Sequence, residues 1–167
     1  MSDTTAAAQE VLVRVADLNV ATGEQVLVTY GLGSCVAILL YEPQHRIAAM
    51  AHIMLPSLSL ARRGDRPGKT AHTAVPALVE AMVDLGADRR KINSRLVGGA
   101  SLFASLTPPG SIQMGERNVV SCREVLNREG IPLITEQVGG EVGRSVWLYA
   151  GDGRAIIRSA SQSEQLI

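Results

Sequence analysis

The stretch CVAILLYEPQHRIAAMAHIMLP (35–56) holds two apolar runs on either side of a short polar turn. The first run, CVAILLYE (35–42), is apolar on both alternating faces, which is typical of a central strand that is covered on two sides. The second run, RIAAMAHIMLP (46–56), consists of small and apolar residues and ends at a proline, which a central strand does not tolerate. A turn centred on Pro43-Gln44 would join the two runs as an antiparallel hairpin in the middle of a sheet.

Strand patterns continue on both sides of this hairpin. Apolar and polar residues alternate in EVLVRVAD (10–17) and EQVLVTYG (24–31), and INSRLV (92–97) is a shorter apolar run. Near the end of the chain come IPLITEQV, SVWLYA and RAIIRSA, and a Gly-Asp-Gly turn typical of a hairpin separates the last two. We therefore expect about seven strands in a largely antiparallel sheet.

Two segments have the helical period. Apolar residues recur every three or four positions from Val75 to Val83, where Thr73 can cap the start and Gly86 can end the helix. The second segment is GERNVVSCREVLNREG (115–130), which ends at a glycine. Two main helices packed with about seven strands predict an α+β fold.

Two polar segments lie outside these elements. Residues 1–9 are a short leader that we expect to be flexible, and SLSLARRGDRPGKTAH (57–72) contains Gly and Pro without any period, which predicts a mobile loop. The length of 167 residues suits one domain spanning residues 1–167.

The composition excludes several classes of function. Sixteen basic and sixteen acidic side chains cancel, so no overall field attracts nucleic acid, and aromatic residues that could stack on bases make up only 3%. No apolar run approaches the roughly 18 residues of a membrane span, and the polar start does not have the pattern of a signal peptide. We expect a cytoplasmic protein without membrane insertion, whose two cysteines, Cys35 and Cys122, are free thiols.

Cys35 and His52 are the strongest candidates for chemistry. In the hairpin centred on Pro43-Gln44, Cys35 lies directly opposite His52, where Cβ atoms are ~4.5–5.5 Å apart and the side chains share one face. A histidine beside a thiol can activate it as a nucleophile towards a carbonyl carbon. A turn of odd length would shift the register by one residue and send the two side chains to opposite faces.

The loop before Cys35 fits the same chemistry. Gly31 and Gly33 permit positive φ and a close approach to a substrate, so backbone N–H groups around Gly33, Ser34 and Cys35 can bind a developing oxyanion. Thr29 lies on the strand that leads into this loop. Its hydroxyl can orient the imidazole as the third member of a triad.

The same residues also allow plainer interpretations. A lone cysteine at a strand start is commonly a small buried apolar residue, and a lone histidine in an apolar strand is commonly a hydrogen-bonded core residue. A metal site is disfavoured, because two cysteines and three histidines lack the ligand spacing of a zinc site. GLGSCV (31–36) also departs from the GxGxxG phosphate fingerprint at its last position. These residues alone leave a structural and a catalytic role open.

Six blocks of sequence stand out in one order. They are TYGLGSCVAILLYEP, MAHIMLP, RLVGGASLF, MGERNV, EGIPLITEQVGGEVGRSVWL and GRAIIRSA, and they lie between residues 29 and 160, within a likeness that covers about residues 10 to 160. Together they resemble the CheD family of chemoreceptor glutamine deamidases. This resemblance implies hydrolysis of particular glutamine side-chain amides to glutamate on methyl-accepting chemotaxis receptors, through a Cys-His-Thr triad at Cys35, His52 and Thr29. It also implies a thioester intermediate and no metal or cofactor.

The resemblance carries further implications and one departure. Related properties of the family are hydrolysis of glutamyl methyl esters and binding of a CheC-type phosphatase. The chain has Thr70-Ala71-His72 where family members often have Tyr-Ala-Asp. Two alternatives to the deamidase are a non-catalytic module that binds receptor or phosphatase, and an amidase or thiol peptidase for small substrates.

The predicted loop 57–72 carries four basic residues that are candidates for substrate binding. They are Arg62, Arg63, Arg66 and Lys69. These side chains can dock on the acidic face of a receptor helix bundle, although a loop of mixed charge is usually only solvated.

Overall fold

The computed structural model describes residues 7–161 and 163–167, which form ten strands and two α-helices. The strands are β1 (Glu10–Leu12), β2 (Leu18–Thr22), β3 (Val26–Leu32), β4 (Val36–Glu42), β5 (Ile47–Ile53), β6 (Asn93–Gly98), β7 (Leu133–Val138), β8 (Arg144–Tyr149), β9 (Ala155–Ser159) and β10 (Gln165–Leu166); the helices are α1 (Ala71–Asp84) and α2 (Met114–Arg128). The α+β class with two main helices is confirmed, whereas the predicted strand count is too low. Residues 1–6 of the predicted leader lie outside the described residues.

The first predicted strand, 10–17, is shorter than expected. Its pairing with β3 ends at Leu12, and the chain then turns through Ala16, which has a left-handed φ of 64°. After this turn the chain enters β2, which pairs with β5. The predicted strand 10–17 therefore contains only β1, and β2 (Leu18–Thr22) is a strand that the pattern did not predict.

The strands form two five-stranded sheets. The first has the order β1-β3-β8-β9-β10 and the second has the order β2-β5-β4-β6-β7. Neighbouring strands are antiparallel except for the parallel pairs β1–β3 and β6–β7. The predicted hairpin of β4 and β5 lies at the centre of the second sheet.

The molecule has three layers, with the second sheet in the middle. Odd-numbered residues of β4, such as Ala37 and Leu39, pack in an apolar cluster between the sheets. Even-numbered residues of β4 pack in another cluster against α1 and α2. This double burial explains why β4 is apolar on both faces. On β5 the even-numbered residues, such as Met50, face the first sheet, so His52 lies on that side.

The register of the central hairpin differs from the prediction. Glu42 pairs with Ile47 across a turn of residues 43–46, which is centred one residue later than Pro43-Gln44. Ala37, not Cys35, therefore lies opposite His52. The predicted pairing is wrong by two positions, and a shift of two keeps the side chains on one face.

The Glu42 carboxylate accounts for this later turn. It accepts a hydrogen bond from the backbone N–H of His45 at 2.6 Å, and its other oxygen lies 3.0 Å from His45 Nδ1. Arg46 closes the turn with a left-handed φ of 55°. A side-chain carboxylate bonding to backbone three residues ahead is a local interaction that strand patterns do not reveal.

The predicted loop 57–72 ends earlier than expected, because helix α1 already begins at Ala71. The N-cap position is Thr70 and not Thr73. The Thr73 hydroxyl donates a hydrogen bond to the carbonyl of Pro67 and does not accept one from a free helix N–H. No helix among the described residues is long and apolar enough to cross a membrane.

Candidate active site

Thr29 of β3 and His52 of β5 meet between the two sheets. Thr29 is fully buried and His52 is 1% exposed. Thr29 Oγ1 donates a hydrogen bond to the carbonyl oxygen of Val13 at 2.7 Å and lies 2.7 Å from His52 Nδ1. Because a hydroxyl has one proton, which here goes to Val13, His52 Nδ1 must carry the proton of the bond between the two side chains. The neutral ring therefore has its lone pair on Nε2.

The Nε2 atom of His52 is the free end of this ring. It is buried and has no hydrogen-bond partner among the described residues. Burial disfavours the charged ring and lowers the pKa of His52 to about 4. The backbone of His52 is held on both sides, since its N–H donates to Asp17 and its carbonyl accepts from Ala16, each at 3.0 Å. The ring is thus a fixed neutral imidazole with an unpartnered basic nitrogen.

Cys35 lies on the same face of the second sheet as His52. It directly precedes β4, is half-buried, and packs against the apolar cluster between the sheets. Because it is two residues before Ala37, it is a diagonal neighbour of His52, and such neighbours are typically about 7–8 Å apart. No hydrogen bond links the thiol to His52 Nε2 in the described part of the chain.

The resting state of the Cys35 thiol is protonated. Burial raises the pKa of Cys35 above the ordinary value of 9.0, so the thiol keeps its proton at neutral pH. Cys35 and His52 therefore form a neutral pair in the free protein, and the thiolate-imidazolium ion pair of some cysteine hydrolases is not formed in advance.

The loop from Gly33 to Cys35 is fixed by its carbonyl groups. The Gly33 carbonyl accepts from the backbone N–H of Ala100, and the Cys35 carbonyl accepts from that of Gly99, both at 2.8 Å. Gly31, in an irregular section of β3 just before this loop, has a left-handed φ of 68°. Gly33 was also predicted to permit a positive φ, but its φ is not in the left-handed region.

Two backbone N–H groups of this loop are candidate donors to a substrate. Within residues 7–161 and 163–167, neither Ser34 nor Cys35 donates a backbone hydrogen bond. Ser34 also borders a cleft of about 290 Å³, whose lining residues are Ser34, Ala100, Ser101, Leu102, Phe103, Thr107, Gln113, Met114 and Gly115. The loop therefore presents unpartnered donors beside an open cleft.

Asn118 of α2 is a site residue that the sequence patterns did not predict. It is fully buried, and its Nδ2 donates to the carbonyl oxygens of Ser34 at 2.9 Å and Met54 at 3.2 Å. The available signal was an amide residue on the helix face that also carries Cys122 and Val125. A buried amide needs hydrogen-bond partners, so its presence on an apolar face indicates a specific contact.

The predicted basic residues do not join this site. Arg62, Arg63 and Arg66 are exposed, and their side chains form no ion pair among the described residues. Lys69 instead pairs with Asp65 at 3.0 Å. The arrangement is that of a solvated loop held by its own charges.

The remaining cysteine, Cys122, lies in the core beneath the helices and not at the candidate site. Cys122 is fully buried in the cluster beneath the helices, and burial raises its pKa far above the ordinary value. In the part of the chain that the structure describes, no group of three or more His, Cys, Asp or Glu side chains is placed to hold a metal ion.

Comparisons with known proteins identify the family of this chain. The family model described as CheD chemotactic sensory transduction matches residues 54–159. A protein from Caldanaerobacter subterraneus subsp. tengcongensis, named "Probable chemoreceptor glutamine deamidase CheD", is 37% identical over 155 residues, which cover 93% of this chain and 96% of the relative. A protein of the same name from Archaeoglobus fulgidus is 39% identical with the same shares.

A solved structure adds a likeness of fold alone. A Neisseria meningitidis protein of family DUF152 is 14% identical with a TM-score of 0.52, over 80% of this chain and 65% of that protein. The two relatives named above are each more than 30% identical over 93% of this chain. With the match to the family model, they show that this chain belongs to the CheD family.

Proposed function

We propose that this chain is a protein-glutamine deamidase that hydrolyses the side-chain amide of specific glutamines on methyl-accepting chemotaxis receptors. The proposal rests on the hydrogen bond between Thr29 and His52, which leaves the basic Nε2 of His52 without a partner on the face that Cys35 shares. The names of the two relatives support the same substrate class.

The first half of the reaction forms a thioester. The Cys35 sulfur attacks the carboxamide carbon while its proton passes to His52 Nε2. The carbonyl oxygen becomes an oxyanion, which accepts hydrogen bonds from the backbone N–H groups of Ser34 and Cys35. When the carbon–nitrogen bond breaks, His52 returns the proton to the nitrogen and ammonia leaves.

The second half releases glutamate. A water molecule attacks the thioester carbon and gives a proton to His52 Nε2. The carbon–sulfur bond then breaks, the proton passes to the Cys35 sulfur, and the glutamate side chain leaves as a carboxylic acid that ionises in water. The same steps would cleave a glutamyl methyl ester, with methanol as the leaving group in place of ammonia.

The low pKa of His52 makes the timing of proton transfer important. A base with a pKa of about 4 is weak at neutral pH. Negative charge that develops on sulfur and on the oxyanion favours the imidazolium, because an opposite charge within ~4–6 Å raises the pKa of a histidine. The proton therefore moves to His52 during the attack and not before it.

The cleft beside Ser34 offers a surface for a protein substrate. Three large apolar residues that line it are exposed: Leu102 by 48%, Phe103 by 68% and Met114 by 38%. Apolar side chains grouped at a cleft are typical of a surface that binds another protein. We assign this surface to the cytoplasmic part of the receptor, and a CheC-type phosphatase is a further proposed partner.

A mass assay tests the function. A receptor cytoplasmic fragment incubated with the protein should change from amide to acid at defined glutamines, and Cys35→Ala should abolish the change. Fragments that bind with unchanged glutamines would indicate a non-catalytic receptor- or phosphatase-binding module. Turnover of free glutamine or short peptides without receptor would indicate an amidase or thiol peptidase for small substrates. A repeat with a CheC-type phosphatase tests the partner.

A further inference from the structure

Asn118 makes two hydrogen bonds that fix its orientation. Its Nδ2 donates to two carbonyl oxygens, those of Ser34 and Met54. A flipped amide would place its oxygen against both carbonyls, so the orientation is unambiguous. Its Oδ1 is buried and has no partner among the described residues. An unpartnered buried oxygen costs free energy, so stability alone does not explain an amide at this position.

The bond to the Ser34 carbonyl determines where the next N–H points. The Ser34-Cys35 peptide is trans, and in a trans peptide the C=O and the following N–H point in opposite directions. Because Asn118 holds the Ser34 carbonyl on one side, the Cys35 N–H faces the other side. That N–H has no hydrogen-bond partner in the described part of the chain.

The second hydrogen bond of Asn118, to the Met54 carbonyl, reaches the segment that follows His52, the proposed base. Met54 is two residues after His52 and directly follows β5, the strand that carries the ring. One buried amide therefore links the loop that ends in Cys35 to the end of β5. No other described side chain contacts both segments by hydrogen bonds.

Glycines allow helix α2 to come close enough for these bonds. An added Cβ at Gly115, one turn before Asn118, would lie 2.5 Å from the carbonyl oxygens of Gly99 and Ala100. An added Cβ at Gly98 would meet the Cys35 carbonyl. The start of the helix thus lies directly against the backbone that holds Cys35.

We propose that Asn118 is a positioning residue that holds the Ser34-Cys35 peptide so that the Cys35 N–H points at the oxyanion formed on attack by Cys35. This proposal rests on the proposed role of Cys35 as the nucleophile. It goes beyond that role because it names the backbone N–H of Cys35 as the donor to the oxyanion and Asn118 as the side chain that orients this N–H.

Two reactions of Cys35 separate this role from a structural one. Acylation by p-nitrophenyl acetate passes through a tetrahedral oxyanion, whereas alkylation by iodoacetamide does not. In Asn118→Ala and Asn118→Asp, we expect the rate of Cys35 acylation to fall about tenfold or more, since loss of one oxyanion donor has large effects on acyl transfer. The rate of alkylation should stay within about twofold. Peptide mass analysis assigns both products to Cys35.

Ser121→Ala is the matched control. Ser121 lies three residues after Asn118 on the same helix, is 5% exposed, and its hydroxyl also lacks a partner among the described residues. We expect this variant to keep the wild-type ratio of acylation to alkylation. A ratio that falls equally in Ser121→Ala would overturn the proposal, because it would indicate a general effect of altering the buried helix face.

Other outcomes also decide the matter. If acylation and alkylation fall in parallel in the Asn118 variants, Asn118 acts on the thiol and not on the oxyanion donor, and the proposal is wrong. It is also wrong if neither variant folds, as judged by circular dichroism, because the role is then structural. The wild-type protein tests the proposed function separately: failure to deamidate any receptor fragment, with the predicted rate ratios intact, would contradict that function and leave the role of Asn118 standing.

Discussion

The hydroxyl oxygen of Thr29 and the Nδ1 atom of His52 lie 2.7 Å apart, although they belong to different sheets. The ring of His52 is therefore oriented by the way in which the two sheets pack, and not by its own strand alone. The same hydroxyl donates to Val13, which fixes the direction of the proton between the two side chains. The orientation of the proposed base thus depends on the sheet-to-sheet interface.

Thr29→Val tests this dependence. The substitution keeps the shape of the side chain but leaves the Val13 carbonyl and the His52 Nδ1–H without a partner, and we expect a loss of about 2–3 kcal/mol in the free energy of unfolding. The ring also loses its fixed orientation, so deamidation should fall about tenfold or more. Thr29→Ser keeps the hydroxyl and should retain most activity. Equal activity of the Val and Ser variants, measured on a receptor fragment, would contradict the role of Thr29.

Residue types and spacing single out Thr29, Cys35 and His52, and their catalytic roles stay predictions. The structure brings Thr29 to His52, but the expected pairing of Cys35 with His52 is wrong by two positions. The error came from the turn, whose position is set by the Glu42 carboxylate and by the left-handed Arg46. Such local hydrogen bonds leave no periodic signal in a sequence.

The pH dependence of stability should reveal the buried imidazole of His52. Burial lowers its pKa from 6.5 to about 4, so between these values the unfolded chain binds a proton that the folded protein does not. The free energy of unfolding should therefore be highest above pH 6.5 and fall by roughly 2–3 kcal/mol as the pH drops to 4. His52→Gln should reduce this slope in urea titrations, and the other two histidines remain in both proteins. The proposal of a neutral buried ring fails if the NMR titration midpoint of His52 is near 6.5.

The pH dependence of Cys35 alkylation tests the neutral resting pair. Because burial raises the pKa of this thiol from the ordinary value of 9.0, the rate with iodoacetamide should rise steadily through pH 9 without a plateau at lower pH. A thiolate stabilised by imidazolium would instead react at a constant rate from pH 6 to pH 8. Cys35→Ser serves as the blank, because Cys122 is fully buried and should not react.

The layers of the fold were only partly visible in the sequence. The double-sided apolar pattern of β4 correctly predicted a covered central strand, but it did not reveal that one cover is a second sheet. The partition of ten strands into two sheets depends on contacts between distant segments, such as the pairing of β3 with β8. Asn118 was missed for a related reason, because its partners, Ser34 and Met54, are far from it in sequence.

Glu42→Gln tests the origin of the hairpin register. Burial alone would raise the pKa of Glu42, but hydrogen bonds from the backbone N–H and ring of His45 and from the Asp88 N–H outweigh it, and the net pKa is lowered. A lowered pKa contributes stability above the ordinary value of 4.5 that is lost as the pH falls through the folded-state pKa. We expect Glu42→Gln to lose about 1–3 kcal/mol at pH 7 and less at pH 3.

The control for this substitution is Glu80→Gln, which removes an exposed carboxylate on α1. Its free energy of unfolding should match that of the wild-type protein at both pH values. A similar loss in both variants, measured by urea denaturation, would assign the effect to net charge and not to the turn.

Gly115→Ala tests whether the close approach of α2 positions the Cys35 loop. Helix propensity alone predicts a gain of about 1 kcal/mol when glycine is replaced by alanine. At Gly115, however, the new Cβ would lie 2.5 Å from two carbonyl oxygens, so the helix start must move away from the backbone that precedes Ser101. We expect a loss of about 2 kcal/mol or more, together with a lower ratio of Cys35 acylation to alkylation, as in Asn118→Ala. The control is Asn127→Ala, at an exposed position of the same helix, which should be neutral or slightly stabilising. If Gly115→Ala is instead stabilised and keeps the wild-type ratio of acylation to alkylation, the close approach of α2 is not required to position the Cys35 loop.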